Sequence, residues 1–295
     1  KLSGLEPGAK YEYRVITNEK NGSWHKLEVP KSKDFSAVIF ADSQSGDGYT
    51  KFNNIARTAF SNNKGAKLYL NLGDQVDNGQ HQFQWKRWFE CVEDYSADIP
   101  MAALVGNHEC YDLNWNERFP KVHVNLFQFP SAMEKYKNQF YSFDYGDVHF
   151  TCLDTNYRWE VLPYQPNIVW EQINWVRQDL ANSKAKWKVV LMHRDICMYG
   201  YNPASGNSSD WRTYIMETGT DFMPIFDQYG VDAVLSGHLH TYRRRVPIRN
   251  FRPNKEKGVT YIMSGVCGDQ QKGLLWEDWS WDAKRSPEKE KETGN

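Results

Sequence analysis

The chain has 295 residues, with 36 Lys and Arg against 37 Asp and Glu and a formal net charge of -1. That length allows one large domain, or one domain with a further fragment, and a sizeable buried core. The balanced charge gives no global basic field of the kind that binding to a nucleic-acid duplex uses, and no run of about 18 apolar residues is present to span a membrane.

The five cysteines, Cys91, Cys110, Cys152, Cys197 and Cys267, form no CxxC pair. Their spacing fits neither a zinc framework nor a dense disulfide scaffold. The odd count leaves at least one thiol free unless a partner supplies the other, and Cys152, inside a strand-like run, reads as a buried thiol. Neither the compartment nor an oligomeric state follows from this pattern.

Residues 1–30 differ in character from the rest of the chain. Leu5-Glu-Pro-Gly8 is a turn, and Lys10–Ile16 alternates as an antiparallel strand does. Asn21-Gly22 is a hairpin-turn signal, with Trp24–Val29 returning as a second strand. Two strands do not make a stable domain. The segment is therefore expected to be the tail of a β-sandwich.

Phe35–Ala41 reads as a buried strand ending at Asp42-Ser-Gln44. Lys51–Phe60 has helical spacing, with Phe52, Ile55, Ala56, Ala59 and Phe60 on one face. Leu68–Leu72 is a short apolar run ending at Gly73-Asp74, and the turn formers Asn78 and Gly79 favour a strand that stops there. His81–Tyr95 is a second helix, and Pro100–Val105 a third strand, ending at Gly106-Asn107-His108-Glu109. The β-α-β-α-β order argues for a parallel sheet layered by helices.

Residues 111–138 are irregular and aromatic, as a long loop over the strand ends would be. Tyr141–Tyr145 and Val148–Leu153, around Gly146-Asp147, form a hairpin pattern. Ile168–Leu180 is helical, and Lys188–Met192 is a strand ending at His193. Residues 195–210 read as a polar loop and Trp211–Tyr229 as a helix, broken or kinked at Pro224. Val231–Ser236 is a strand ending at Gly237-His238-Leu239-His240. Strands around Tyr242–Val246 and Val259–Met263 complete a second sheet. The tail from Lys284 is rich in Lys, Glu and Pro and reads as a disordered or truncated end.

Five strand ends thus carry, in order, Asp42, Asp74, Asn107-His108, His193 and His238-x-His240. Taken singly, each has a structural explanation: Asp42 as a helix N-cap, Asn107-His108 as a turn, the paired histidines as one face of a strand. Taken together they are a ligand set, because ligands bind at the carboxyl edge of an open α/β sheet. Carboxylate, amide and imidazole suit two divalent or trivalent ions such as Fe, Mn or Zn, rather than a thiolate site. There are too many donors for one tetrahedral ion. Two ions sharing a bridging carboxylate, about 3.5–4 Å apart, use them better and suit phosphoryl transfer.

The same residues resemble the calcineurin-like metallophosphoesterases, in their purple acid phosphatase-like branch. The motifs are Asp42-Ser-Gln44, Gly73-Asp74-Gln-Val-Asp77, Gly106-Asn107-His108-Glu109, Val190-Leu-Met-His193 and Gly237-His238-Leu-His240, and the likeness covers residues 36–265. The resemblance implies a four-layer α/β/β/α sandwich over residues 33–283. Residues 1–32 resemble the end of a fibronectin type III-like domain, whose earlier strands would lie outside this sequence, and 284–295 would be a polar tail. It also implies hydrolysis of small-molecule phosphate esters, mono- or diesters, and a secreted, periplasmic or cell-surface location.

Residue by residue, the resemblance implies that Asp74 bridges two ions. Asp42 and His240 would hold one ion, and Asn107, His193 and His238 the other. His108 would contact the phosphate and protonate the leaving oxygen, a task for which imidazole is suited near neutral pH. Two positions depart from the family. Asp77 stands where purple enzymes carry a metal-binding Tyr, so iron-tyrosinate colour is expected to be absent. Gln44 stands where other members carry His, making it an uncertain and weaker ligand. Asp77 is expected to act from outside the ligand set.

The pocket walls are expected from residues 111–138, 156–166 and 195–212. Tyr157, Trp159, Tyr199, Tyr201 and Trp211 are candidate substrate-facing aromatics, with core packing an equal explanation. A competing function is a catalytically weak extracellular binding module that keeps the fold. Hydrolysis of non-phosphate esters is a third reading, disfavoured by the amide ligand and paired histidines.

Overall fold

The leader folds as two nested antiparallel ladders. β1 (Lys10–Tyr13) pairs with β4 (His25–Glu28), and between them β2 (Ile16–Thr17) pairs with β3 (Lys20–Asn21). The hairpin turns at Asn18 and Glu19, both with positive φ, and not at Asn21-Gly22 as the dipeptide suggested. Asn21 pairs with Ile16 inside the ladder, and the Gly22 N–H donates to the Val15 carbonyl. Asn tolerates the left-handed region almost as a glycine does, so either site was open to a tight turn. The leader is anchored to the body of the protein. Tyr13 donates to the Ala97 carbonyl, the Lys26 N–H to Asp98, and Lys67 to Glu28.

The computed structural model describes residues 4–29, 31, 34–201, 211–268 and 281–286, side chains excepted at 198–201, 211–214 and 284–286. The first sheet is parallel, in the order β5 (Ser36–Phe40), β6 (Ala66–Asn71), β7 (Met101–Ala103). Its crossovers are α1 (Thr50–Asn62) and α2 (Gln82–Ser96). Residues 111–138 are mostly irregular but hold the short helix α3 (Lys121–Leu126) and a 3-10 turn at Glu134–Tyr136.

The second sheet has seven strands. Its parallel centre is β9 (Val148–Cys152), β10 (Trp187–Leu191), β13 (Ala233–Ser236) and β17 (Thr260–Ser264). β8 (Tyr141–Tyr145) closes one edge, antiparallel to β9. At the other edge, β14 (Tyr242–Arg245) is antiparallel to both β17 and β18 (Asp282–Ser286). Helices α4 (Ile168–Asn182) and α5 (Glu217–Tyr229) connect its parallel strands. Two small ladders complete the chain: β11 (Cys197–Tyr201) with β12 (Trp211–Ile215), and β15 (Ile248–Arg249) with β16 (Arg252–Pro253).

Side-chain alternation stacks these parts into four layers. Along β6, Tyr69 joins Phe40, Phe52, Phe60 and Trp88 under α1 and α2. Its neighbours Leu68 and Leu70 face the other way, against Phe150, Cys152 and Leu191 of the second sheet, as the period of two in a strand requires. On β10, Leu191 points to that inner layer and Val190 to α4 and α5, where Val176, Leu180, Phe222 and Phe226 pack. The architecture is the α/β/β/α sandwich.

Three stretches differ from their sequence reading. Trp211–Ile215 is a strand and not the start of a helix. It is rich in aromatic and β-branched residues and pairs with Cys197–Tyr201, inside the stretch read as a polar loop. The helix starts at Glu217 and runs through Pro224 without ending. Residues 284–286 belong to β18 and not to a disordered tail; positions 287–295 lie outside the described residues. All five cysteines are buried free thiols. Among the described residues no helix is long and apolar enough to cross a membrane.

Candidate metal centre

The carboxyl ends of β5, β6, β7, β10 and β13 meet at one edge. They deliver Asp42, Asp74, Asn107, His193 and His238, with His240 two residues on. Two groups there could hold a metal ion: Asp74, His193 and His238, and Asp42, Asp74 and His240. Within each, the ligand atoms lie within 4.8 Å of one another. Asp74 belongs to both. Asn107 joins the first group, with Oδ1 3.0 Å from His193 Nε2 and 2.8 Å from His238 Nδ1. Gln44 lies beside the second, with Nε2 3.0 Å from His240 Nε2 and 3.4 Å from Asp74 Oδ2.

The backbone here is held in unusual conformations. Asp42, Asp74, His238 and His240 all have positive φ, at about 1 kcal/mol or more apiece for residues with a side chain. Such strain persists only where the surroundings enforce it. The Asp42 carboxylate accepts the His238 N–H through Oδ1 at 2.8 Å and Oδ2 at 2.9 Å. Asp74 Oδ1 accepts the His108 N–H at 2.9 Å. Gly106 permits a close approach: a Cβ there would lie 2.1 Å from Asp74 Oδ1.

Glu109 ties the β6 and β7 ends together. Its buried carboxylate accepts N–H groups from Gly106, Asp74, Gln75 and Val76, at 2.7, 2.8, 2.8 and 3.2 Å. The sequence showed this residue as part of a motif, but its partners at Asp74–Val76 are more than 30 positions away. His193 is fixed similarly, with Nδ1 2.9 Å from the Leu72 carbonyl, leaving Nε2 toward Asn107 and Asp74.

Charge is shared tightly in this buried cluster. Burial pushes the Asp74 carboxyl up, but the neighbouring His193, His108 and His238 outweigh it and hold it below the usual carboxylate range. Burial lowers His193, and the Asp74 charge more than reverses this, taking it to about 9. Burial and then the charge of His193 drive His238 well below its ordinary value. A centre with two buried carboxylates and three imidazoles is made for cations. The donor set fits metal ions in a further respect: the Gln44 Oε1 atom is buried and has no hydrogen-bond partner among the described residues.

His108 stands beside the ligands, with its side chain 17% exposed. Its Nδ1 lies 2.8 Å from the Asp77 carbonyl and 3.5 Å from the Asp77 carboxylate. Asp77 therefore faces His108 and belongs to neither ligand group. The rings of Tyr111 and Trp115 stand edge-on to His108, and Trp115 is 55% exposed. The expected rim is only partly found. Trp159 is at the surface, but Tyr157 is fully buried, donating to Asp221 and packed on Phe222. The side chains of Tyr199, Tyr201 and Trp211 lie outside the described residues. Arg194, which the sequence reading passed over, is at the centre. It follows His193 directly and reaches to 3.2 Å from His238 Nε2.

Known proteins agree with this architecture. A family model described as calcineurin-like phosphoesterase matches residues 35–242. Purple acid phosphatase 21 of Arabidopsis thaliana is 26% identical over 278 residues, covering 92% of this chain and 58% of its own. "Probable inactive purple acid phosphatase 1" of the same plant is 24% identical over 277 residues, covering 84% of this chain and 43% of its own. The chain thus spans about half the length of these curated relatives. The solved structure of purple acid phosphatase PPD1 from yellow lupin (Lupinus luteus) seeds matches with a TM-score of 0.75 at 20% identity. That match covers 96% of this chain and 55% of the lupin chain, and shows the shared fold.

Proposed function

The chain belongs to the calcineurin-like phosphoesterase family, in its purple acid phosphatase-like branch, and from that premise we propose that it is a dinuclear metal-dependent hydrolase of phosphate esters. The observation that carries the proposal is the shared position of Asp74 in both candidate ligand groups. One carboxylate within reach of two donor sets is what a bridged pair of ions needs. In this reading Asp42, His240 and Gln44 hold one ion, and Asn107, His193 and His238 the other. The ions, Fe, Mn or Zn, would supply Lewis-acid charge and ease the loss of a proton from water, which gives the nucleophile for phosphorus.

The protein's own groups orient the reaction. The Asp77 carbonyl takes the Nδ1 proton of His108 and fixes the ring. With both ring nitrogens protonated, Nε2 gives its proton to the departing alkoxide and the ring is left neutral, its Nδ1 proton still on the Asp77 carbonyl. Glu109 keeps the Asp74 and Asn107 turns in register, as a partner behind the ligands does in other metal sites. The substrate class is a small-molecule phosphate ester, cleaved outside the cytoplasm: secreted, periplasmic or cell-surface. Residues 1–32 are, in the same proposal, the end of a fibronectin type III-like domain preceding the catalytic domain. The two antiparallel ladders support that part of the reading.

A second reading is a binding module of low activity; three relatives, among them "Probable inactive purple acid phosphatase 1", carry "probable inactive" in their names. Retention of every core ligand except at the Gln44 position favours catalysis. Elemental analysis of His193→Ala and His238→Ala tests the ligand assignment: each is expected to lose one of two ions and nearly all hydrolysis. Two ions retained by either variant would overturn it.

A further inference from the structure

Arg194 is held on several sides at the edge of the metal centre. Its NH2 group donates to Glu160 Oε1, and its Nε to Asn156 Oδ1 at 3.4 Å. The guanidinium lies 4.8 Å above the Trp159 ring, and the backbone N–H donates to Thr155 Oγ1 at 2.8 Å. NH1 points to the ligands, 3.2 Å from His238 Nε2. The Arg194 side chain is 12% exposed and that of Glu160 3%. Burying such a pair is not by itself a route to stability, since desolvation offsets the attraction. A pinned cation beside a ligand set calls for a use.

The chemistry of His238 suggests what that use is. A neutral imidazole has one N–H and one acceptor nitrogen. The Nδ1 atom faces Asn107 Oδ1, on the side where the ligand atoms of Asp74 and His193 gather. If Nδ1 holds a cation, the ring proton sits on Nε2. Nε2 then cannot accept from Arg194, whose guanidinium keeps its charge and its donors. NH1 must find another acceptor within reach of the ions. In a phosphoesterase that acceptor is a phosphoryl oxygen. A monoester has three terminal oxygens and up to two negative charges; a diester has two and one. Were one oxygen to meet each ion, only the monoester would have a third left for Arg194.

We propose that Arg194 is a substrate-binding residue that takes the third phosphoryl oxygen and selects phosphate monoesters over diesters. The proposal rests on the phosphoesterase reading above. The test uses the metal-loaded chain and the variants Arg194→Gln, Arg194→Lys and Arg194→Gln/Glu160→Gln. The double variant avoids leaving the Glu160 carboxylate buried without its partner. Three quantities are measured: metal content, affinity for inorganic phosphate by calorimetry, and kcat/KM on nitrophenyl phosphate against methyl nitrophenyl phosphate.

Both ions are expected to stay in every variant. In the two Gln variants, phosphate affinity and monoester kcat/KM should fall by about 10- to 100-fold, the worth of one charge-assisted hydrogen bond, with the diester changed by less than about threefold. Lys should restore part of the loss, having the charge without the fork. Unchanged phosphate affinity, an equal fall on both esters, or loss of metal from the double variant would overturn the proposal. If the unaltered chain hydrolyses neither ester, the phosphoesterase reading falls, and phosphate affinity alone still decides the role of Arg194.

Discussion

Glu109 Oε2 accepts the backbone N–H of Asp74 at 2.8 Å, joining the turn after one strand to the turn after the next. Three more N–H groups end on the same carboxylate. Burial, then the charge of Asp74, push it up to about 8 against the pull of those donors. Glu109→Gln would set an NH2 group against backbone donors. We expect a loss of about 2–4 kcal/mol in denaturant unfolding and metal affinity weakened by about 10- to 100-fold. Stability and affinity equal to the unaltered chain would reduce Glu109 to a space-filling residue.

His123 allows a stability test away from the metal centre. Its ring is fully buried between Trp85 and Phe127, and neither nitrogen has a hydrogen-bond partner among the described residues. Burial alone lowers it from 6.5 to about 3. Above pH 6.5 the ring is neutral in both folded and unfolded chains, and its contribution is complete. As pH falls toward 3, the unfolded chain takes up a proton that the folded one refuses, so stability is lost. The loss from this residue is about 2 kcal/mol at pH 5. In His123→Phe the stability gap between pH 7 and pH 5, read by denaturant unfolding, should shrink by that amount. An unchanged gap would mean that the ring titrates normally.

His108 is expected to move a proton and not to hold metal. His108→Ala and His108→Asn should keep both ions. An alkoxide is a poor leaving group and needs the proton, whereas a nitrophenolate leaves unaided. The rate on an alkyl phosphate should therefore fall by about 10²- to 10⁴-fold, and by clearly less on a nitrophenyl ester. Equal falls would leave His108 as a phosphate contact only, and loss of metal would make it a ligand.

The candidate ligands were legible because each strand end follows a short apolar run, closed by a glycine at Gly73, Gly106 and Gly237, a local pattern that places the residue at a strand end. The short apolar run Leu68–Leu72 likewise anticipated a buried parallel strand, and its side chains do pack on both faces. The features that stayed hidden depend on partners distant in the chain. Trp211–Ile215 is a strand because Cys197–Tyr201 lies beside it, and its own pattern merged with the adjoining helix. Asn18 and Asn21 are equally good turn formers, and the pairing of Ile16 with Asn21 decides between them. Tyr157 and Trp159 are two residues apart, yet one faces Phe222 in the core and the other Arg194 beside the metal centre. Arg194 itself follows a ligand in sequence, but its meaning comes from Glu160 and His238, each more than 30 positions away.

The central claim is that two ions bridged by Asp74 hydrolyse a phosphate ester. The most direct measurement strips the chain with a chelator and returns Mn, Fe or Zn in counted equivalents while following hydrolysis of nitrophenyl phosphate. The account predicts no turnover in the stripped chain and a rate that levels off at two ions per chain. A plateau at one ion, turnover that survives chelation, or two ions bound with no turnover would contradict it.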